Sequence, residues 1–262
     1  KRSMGLAGVF CISAGAMISS GLFVLPGLAF ARAGPAVFLS YLLAGCVALT
    51  TVLSLSELVT AMPRAGGDYF YVSRTFGNLF GTVSGLLSWL ALSLKSAFAV
   101  IGIAELIFLV SGIDLRVSAL LLAAVFTAVN LAGVREAVRF QVMLVTALIV
   151  ILGSFFVSGI RDVSLPRLEP MLPHGLNSLF STAGFVFVSF GGVLTTASIA
   201  GEIRDPSRNV PLGLIGSTIA VTLLYSLVIF VVVGTVPADT LRTSLAPVAM
   251  AGQRPQVLSH HA

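Results

Sequence analysis

The amino-acid sequence predicts an all-α polytopic membrane protein whose first and sixth spans are interrupted. Of its 262 residues, 57% are hydrophobic and 10% are charged, and the mean hydropathy of +1.05 lies far outside the soluble range. Uncharged stretches of about 20 residues recur, and each is long enough to cross a hydrocarbon core of about 30 Å. Two of these stretches carry glycine and serine near their centres, where a helix is most easily broken.

Proline, glycine and charged residues divide the chain into about seven predicted spans. The spans cover approximately residues 5–31, 35–61, 78–110, 117–134, 139–160, 177–201 and 209–236. Lys and Arg are slightly more numerous on the side that holds the N-terminus, which favours a cytoplasmic N-terminus and a plasma (inner) membrane location. The net charge of +5 is scattered over short loops. We therefore expect the lipid bilayer as surroundings and no nucleic-acid partner.

The sequence contains no recognisable catalytic or metal-binding pattern. A nucleophile triad, a phosphate loop and a cofactor motif are all missing, and His174, His260 and His261 lack metal-ligand spacing. Cys11 and Cys46 each lie in an apolar span and are interpreted as small core residues. We expect no enzyme activity, no cofactor and no bound metal.

The first interruption is predicted at Ser19-Ser20-Gly21. Backbone freed at mid-membrane is tolerated only where protein buries it or where it lines a cavity. Amides at the start of the outer half-helix would carry partial positive charge and suit a carboxylate, and the Ser20 hydroxyl would add a donor. Carbonyls near Ala16 and Met17 would face the same space with partial negative charge.

The second interruption, at Gly191-Gly192, lies in the sixth span, five spans after the first. This spacing is expected when a five-span unit repeats with inverted topology. Carbonyls near Val188 to Gly191 would attract an ammonium group, so the two interruptions predict a site for a zwitterion such as an amino acid. Close packing of small residues between helices is the alternative. The predicted binding residues are Ala16, Met17, Ile18, Ser19, Ser20, Gly21, Val188, Phe190, Gly191 and Gly192.

Four motifs follow one another in an order that is specific to one family. They are Gly15 to Phe23 with Leu25-Pro26-Gly27, Ser56-Glu57-Leu58 with the run from Pro63 to Val72, the glycine pair of span six, and the run from Gly201 to Pro211. On these motifs the chain resembles the amino acid–polyamine–organocation superfamily of permeases. The resemblance implies a LeuT-type fold and secondary transport of amino acids or related amines by alternating access, as a proton-coupled symporter or as an exchanger.

The resemblance also implies that the chain is incomplete, because family members continue for several more spans. We expect residues 1–160 to form the first five-helix repeat, 161–236 to begin the second, and 237–262 to be a truncated extracytoplasmic loop. A complete seven-span protein is the alternative. The lack of an acidic residue at the predicted site favours a neutral substrate. A non-transporting sensor or a degenerate truncated permease is the second functional hypothesis.

Lys95 lies near the middle of the third span, too deep for its ammonium group to reach water easily. The residues that share its helical face are small or hydroxylated: Ser84, Ser88, Ala91, Ala99 and Gly102. We interpret Lys95 as a candidate proton or fixed-cation site, and a structural lysine bonded to carbonyls of a broken helix is the alternative. Thr146 is a second candidate, because some family members carry a lysine near that position of span five.

Four charged residues after span six form a candidate cytoplasmic gate: Glu202, Arg204, Asp205 and Arg208. Ion pairs among them would latch the inward side of the protein. A solvated loop is the alternative.

Overall fold

The computed structural model describes residues 4–23, 25–62, 64, 66–131, 134–237 and 241, and this part of the chain is almost entirely helical. Its α-helices are α1 (Leu6–Phe23), α2 (Leu25–Ala33), α3 (Val37–Ala61), α4 (Gly67–Phe76), α5 (Asn78–Ser111), α6 (Leu115–Leu131), α7 (Val134–Gly159), α8 (Gly175–Phe187), α9 (Val193–Ser198) and α10 (Pro206–Thr235). Short 3₁₀ turns lie at Gly34–Ala36, Ile160–Asp162, Leu165–Leu168, Val188–Gly192 and Ala200–Glu202.

Five helical stretches are long and apolar enough to cross a membrane: Leu25–Ala61, Asn78–Glu105, Ala137–Asp162, Gly175–Ser198 and Pro206–Thr235. Two shorter apolar helices cover Leu6–Ile18 and Leu115–Leu131. Each of the seven predicted spans therefore coincides with apolar helix, and the all-α membrane architecture is confirmed. The sequence prediction missed α4, whose ten residues are too few and too polar to resemble a span.

The core forms where α10 packs against α3 and α1. One face of α3 is buried, and its residues recur every three or four positions: Tyr41, Ala44, Ala48, Val52, Leu55 and Val59. The other face exposes large apolar side chains such as Leu42, Val47 and Leu53. A helix that is apolar on every side suits a membrane, where one face meets protein and the other meets lipid.

Backbone hydrogen bonds join segments that are distant in the sequence at two places in the bundle. At one end, the Met4 N–H donates to the Glu202 carbonyl at 3.2 Å, and the Arg204 N–H donates to the Met4 carbonyl at 2.8 Å. At another point, where α3 begins, the Ala36 N–H donates to the Met171 carbonyl in the loop before α8 at 3.1 Å. The N-terminal segment and the gate segment therefore lie together, as their assignment to one side of the membrane requires.

Candidate functional site

The turn that interrupts the sixth span packs directly against α1. The 3₁₀ turn Val188–Gly192 separates α8 from α9, so the predicted interruption at the glycine pair is confirmed. The backbone tightens there and does not unwind. A Cβ atom on Gly192 would lie 2.5 Å from the Ala16 carbonyl oxygen and 2.5 Å from the Met17 nitrogen. Backbone atoms cannot rotate out of the way, so only glycine allows this approach.

The first helix is not unwound where the sequence predicts it. α1 is helical from Leu6 through Phe23, so the prediction of an unwound segment at Ser19-Ser20-Gly21 is wrong. A glycine within a helix costs only about 1 kcal/mol relative to alanine. The side chains of Ser19 and Ser20 lie outside the described residues.

Two buried tyrosines bond to carbonyls of α1. The Tyr225 hydroxyl, on α10, donates to the Met17 carbonyl at 2.6 Å, and the Tyr41 hydroxyl, on α3, donates to the Gly21 carbonyl at 2.9 Å. The two rings meet edge to face with centroids 5.3 Å apart, and Phe190 packs edge-on against Tyr225 at 5.8 Å. The Met17 carbonyl, which was predicted to attract an ammonium group, thus already accepts a hydrogen bond.

A second surface of the interrupted helix lines a cavity of about 680 Å³. The cavity lies between α2, α5 and the α8–α9 pair, and its volume is typical of small-molecule sites. Val188 and Gly191 form the part of the wall that the turn supplies. Among the described wall residues, the polar side chains are those of Ser88 and Lys95, both on α5. The cavity is therefore an apolar pocket with polar groups on one side.

Lys95 connects α5 to the turn. Its Nζ donates to the Ser189 carbonyl at 3.2 Å, which is the contact that the structural interpretation of this lysine predicts. Lys95 also lines the cavity with Ser88 and Ala91, so the small polar stripe predicted on the third span faces the cavity at these positions. The Ser88 hydroxyl donates to the Asp68 carboxylate at 2.6 Å, which links α5 to α4.

The structure divides the predicted binding residues into two groups. Val188 and Gly191 line the cavity, whereas Met17, Ile18 and Phe190 are buried in the packed region between α1, the turn and α10. Sequence reasoning missed the apolar wall residues, which include Leu25, Leu28, Phe98 and Phe185. An apolar residue that faces a cavity has the same chemistry as one that faces lipid, so a single sequence carries no signal that separates them.

Thr146 is not brought to this site. Its side chain is exposed on α7, whereas Val145 and Gln141 form the face of α7 that meets α1. The Gln141 Nε2 group donates to the Ile12 carbonyl at 3.4 Å. Consecutive helical residues are rotated by about 100°, so the residue next to a buried one faces elsewhere. The described contacts give Thr146 no part in a shared site with Lys95.

The described contacts of the candidate cytoplasmic gate involve its backbone. The Arg208 N–H donates to the Asp205 carbonyl at 3.0 Å, and the Asn209 side chain donates to the Arg204 carbonyl at 2.6 Å. The side chains of Arg204, Asp205 and Arg208 are exposed, as expected for the solvated-loop alternative. An ion-pair latch stays a prediction.

We expect the substitution Gly192→Ala to destabilise the protein by about 1–3 kcal/mol, because the new Cβ would meet the backbone of α1. Gly184→Ala on α8 is the matched control, since the space around its Cβ position is empty. Thermal unfolding of both variants in detergent measures the difference. Equal melting temperatures would contradict the close-approach role of Gly192.

We expect Tyr225→Phe to cost about 1 kcal/mol, because it removes the hydrogen bond to the buried Met17 carbonyl. For a chain of this size the melting temperature should fall by about 2–4 °C. Tyr69→Phe, at a ring that is 47% exposed, should leave it unchanged. If the two variants melt at the same temperature, the hydroxyl of Tyr225 does not support α1.

The chain matches the family model described as amino acid permease over residues 8–256. It is 28% identical to cationic amino acid transporter 9, chloroplastic, of Arabidopsis thaliana, over 95% of this chain and 48% of that protein. It is 27% identical to the branched-chain amino acid permease BcaP of Bacillus subtilis and also 27% identical to the methylthioribose transporter of that organism, in each case over 90% of this chain and 56% of the relative.

The chain thus spans about half the length of the curated relatives that it matches. The family match covers nearly all of the chain, and the apolar helices and the interrupted sixth span agree with a permease. On these grounds the chain belongs to the amino acid permease family.

Proposed function

We propose that the protein transports amino acids across a membrane by alternating access. The observation that supports this most directly is the cavity of about 680 Å³, because part of its wall is the interrupted helix. Secondary transporters bind their substrates beside interrupted helices near mid-membrane. In this proposal the substrate lies between α2, α5 and the turn Val188–Gly192, with α1 packed behind the turn.

We propose further that the substrate is neutral and has an apolar side chain. The described wall is apolar apart from Ser88 and Lys95, so the charged group that it presents is the lysine ammonium. A second cation on the substrate would be repelled inside an apolar cavity, where charges are poorly screened. By name, the relatives include carriers of branched-chain and of cationic amino acids. The wall of this cavity favours the branched-chain type.

The topology and energy source complete the proposal. We propose a cytoplasmic N-terminus in the plasma membrane and two inverted repeats, 1–160 and the start of the second in 161–236. Support comes from the contact between Met4 and Glu202, which joins the two segments assigned to the cytoplasmic side. Coupling to a proton or to a counter-substrate follows from the family, and Lys95 stays a candidate for the proton or fixed-cation site.

Uptake of radiolabelled leucine into proteoliposomes tests the proposed transport. The protein should be expressed from its complete reading frame and reconstituted with and without an imposed proton gradient. We expect saturable leucine uptake that exceeds arginine uptake. Saturable leucine binding without uptake would favour the non-transporting sensor, and uptake that responds neither to the gradient nor to internal amino acid would contradict coupling.

We expect Val188→Trp to lower leucine uptake by about tenfold or more, because the larger ring would occupy cavity space beside the turn and a loss of about 1.4 kcal/mol in binding is already tenfold. Val157→Trp is the matched control, since Val157 is exposed on α7 and does not line the cavity. Both variants should reach the membrane in equal amounts. Equal loss of uptake in the two would place the substrate elsewhere.

A further inference from the structure

The short helix α4 lies where two membrane spans end. It connects α3 to α5, and the stretches that contain these two helices, Leu25–Ala61 and Asn78–Glu105, are each long and apolar enough to cross a membrane. α4 has ten residues. Its length of about 15 Å is half of a hydrocarbon core of about 30 Å. The helix is therefore a connection at the membrane surface.

One side of α4 carries two guanidinium groups and an aromatic ring. The guanidinium carbon of Arg64 lies 5.9 Å from the centroid of the Phe70 ring, within the range of a cation–π contact. Arg74 follows Phe70 by four residues, so it lies on the same side of the helix, one turn further on. Both arginine side chains are exposed. Two cations thus flank one ring on an open surface.

The described residues supply no carboxylate to these two arginines. No ion pair to Arg64 or Arg74 occurs in the described part of the chain. The carboxylate of α4 itself, that of Asp68, accepts a hydrogen bond from Ser88 of α5 at 2.6 Å. Guanidinium groups bind phosphate oxygens in a bidentate manner. The charge of the pair therefore suits a phosphate group.

Large apolar side chains lie next to the arginines in the chain. Phe76 is the last residue of α4, and Leu79 and Phe80 lie in the first turn of α5; all three are exposed. Cations and aromatic rings are typical of the interface between lipid headgroups and hydrocarbon. A soluble phosphate compound would use the arginines alone, whereas a phospholipid would use the arginines and the apolar side chains.

We propose that this surface binds an anionic phospholipid. The lipid phosphate meets Arg64 and Arg74, and the acyl chains lie along Phe76, Leu79 and Phe80. A zwitterionic phospholipid binds less well, because its headgroup carries an ammonium group that two guanidinium groups repel.

Bound lipid also stabilises the packing of α4 on the interrupted sixth span. α4 contacts α9, and at Gly67 a Cβ atom would lie 2.8 Å from the Ser198 Oγ atom. A ligand that binds the folded protein and not the unfolded chain raises the melting temperature. Thermal unfolding therefore reports on this site.

Melting temperatures with added lipid test the proposal. The protein from its complete reading frame is purified in detergent and mixed with dioleoylphosphatidylglycerol, dioleoylphosphatidylcholine or inorganic phosphate. We expect the anionic lipid, at about a hundredfold excess over its Kd, to raise the melting temperature by about 5 °C or more. The zwitterionic lipid should raise it far less, and inorganic phosphate should leave it unchanged. Equal shifts with the two lipids, or an equal shift with inorganic phosphate, would overturn the proposal.

Variants at the two arginines test the residues themselves. Arg64→Gln combined with Arg74→Gln should remove most of the difference between the two lipids, because it removes both charges. The corresponding double lysine variant should keep part of the difference, since it keeps the charge and loses the bidentate geometry. Arg116→Gln is the matched control, because Arg116 is also exposed and lies at the start of α6. If this control loses as much of the difference, net charge explains the effect and the site on α4 is wrong.

Copurified lipid gives a measurement that does not depend on unfolding. Protein extracted from a membrane that contains both lipids should retain more phosphatidylglycerol than the double glutamine variant, as counted by mass spectrometry. Equal retention would contradict the proposal. If the double variant does not fold, the two lipids on the unaltered protein decide. None of these measurements uses leucine uptake, so failure of the lipid site leaves the transport proposal in place, and the reverse also holds.

Discussion

The approach of α1 to the turn Val188–Gly192 is the contact on which the site depends. At Gly192 the two backbones come so close that a Cβ atom would lie 2.5 Å from the Ala16 carbonyl oxygen. Such an approach brings main-chain carbonyls into an apolar interior, where each needs a hydrogen-bond donor. Tyr225 and Tyr41 supply donors from α10 and α3. The contact therefore fixes which neighbours α1 must have.

Because α1, Tyr41 and Tyr225 fill the space on one surface of the turn Val188–Gly192, the cavity lies on the other surface of that turn. α1 is held by α3 and α10, and the phenol rings of Tyr41 and Tyr225 occupy the space around the Met17 and Gly21 carbonyls. The Met17 and Gly21 carbonyls there accept hydrogen bonds from these hydroxyls. At Gly191, by contrast, the space next to the Cβ position is open, and the residue lines the cavity with Lys95. In the proposed function, the substrate meets the turn from that direction.

Much of the fold could be predicted from the sequence because it rests on local features. Long apolar stretches define the spans, and adjacent glycines weaken a helix wherever they occur, so the interruption at Gly191-Gly192 was predicted in the right place. The predicted unwinding at Ser19-Ser20-Gly21 does not occur, and hydroxyls from α3 and α10 donate to the Gly21 and Met17 carbonyls at and before this segment. Those partners lie far away in the sequence, and local propensity does not include them.

At the site, too, local spacing could be predicted from the sequence, whereas contacts between distant residues could not. The small polar stripe around Lys95 follows from helical spacing and does face the cavity at Ser88, Ala91 and Lys95. Thr146 was a candidate because some family members carry a lysine near that position, and a shift of one residue along a helix rotates a side chain by about 100°. The contact face of α7 is set by packing against Gly15, which brings Val145 and Gln141 to α1.

The glycine pair shows why packing and binding could not be separated at the level of sequence. Two adjacent glycines are equally typical of a close helix contact and of a binding site. In a tight turn, neighbouring residues point in different directions, so Gly192 faces α1 while Gly191 faces the cavity. Gly192 leaves room for the backbone of α1, and Gly191 borders open space on the side of the cavity. The backbone of α1 packs against Gly192 and fixes the position of the turn. On its other side, the turn places Gly191 and the Ser189 carbonyl next to Lys95.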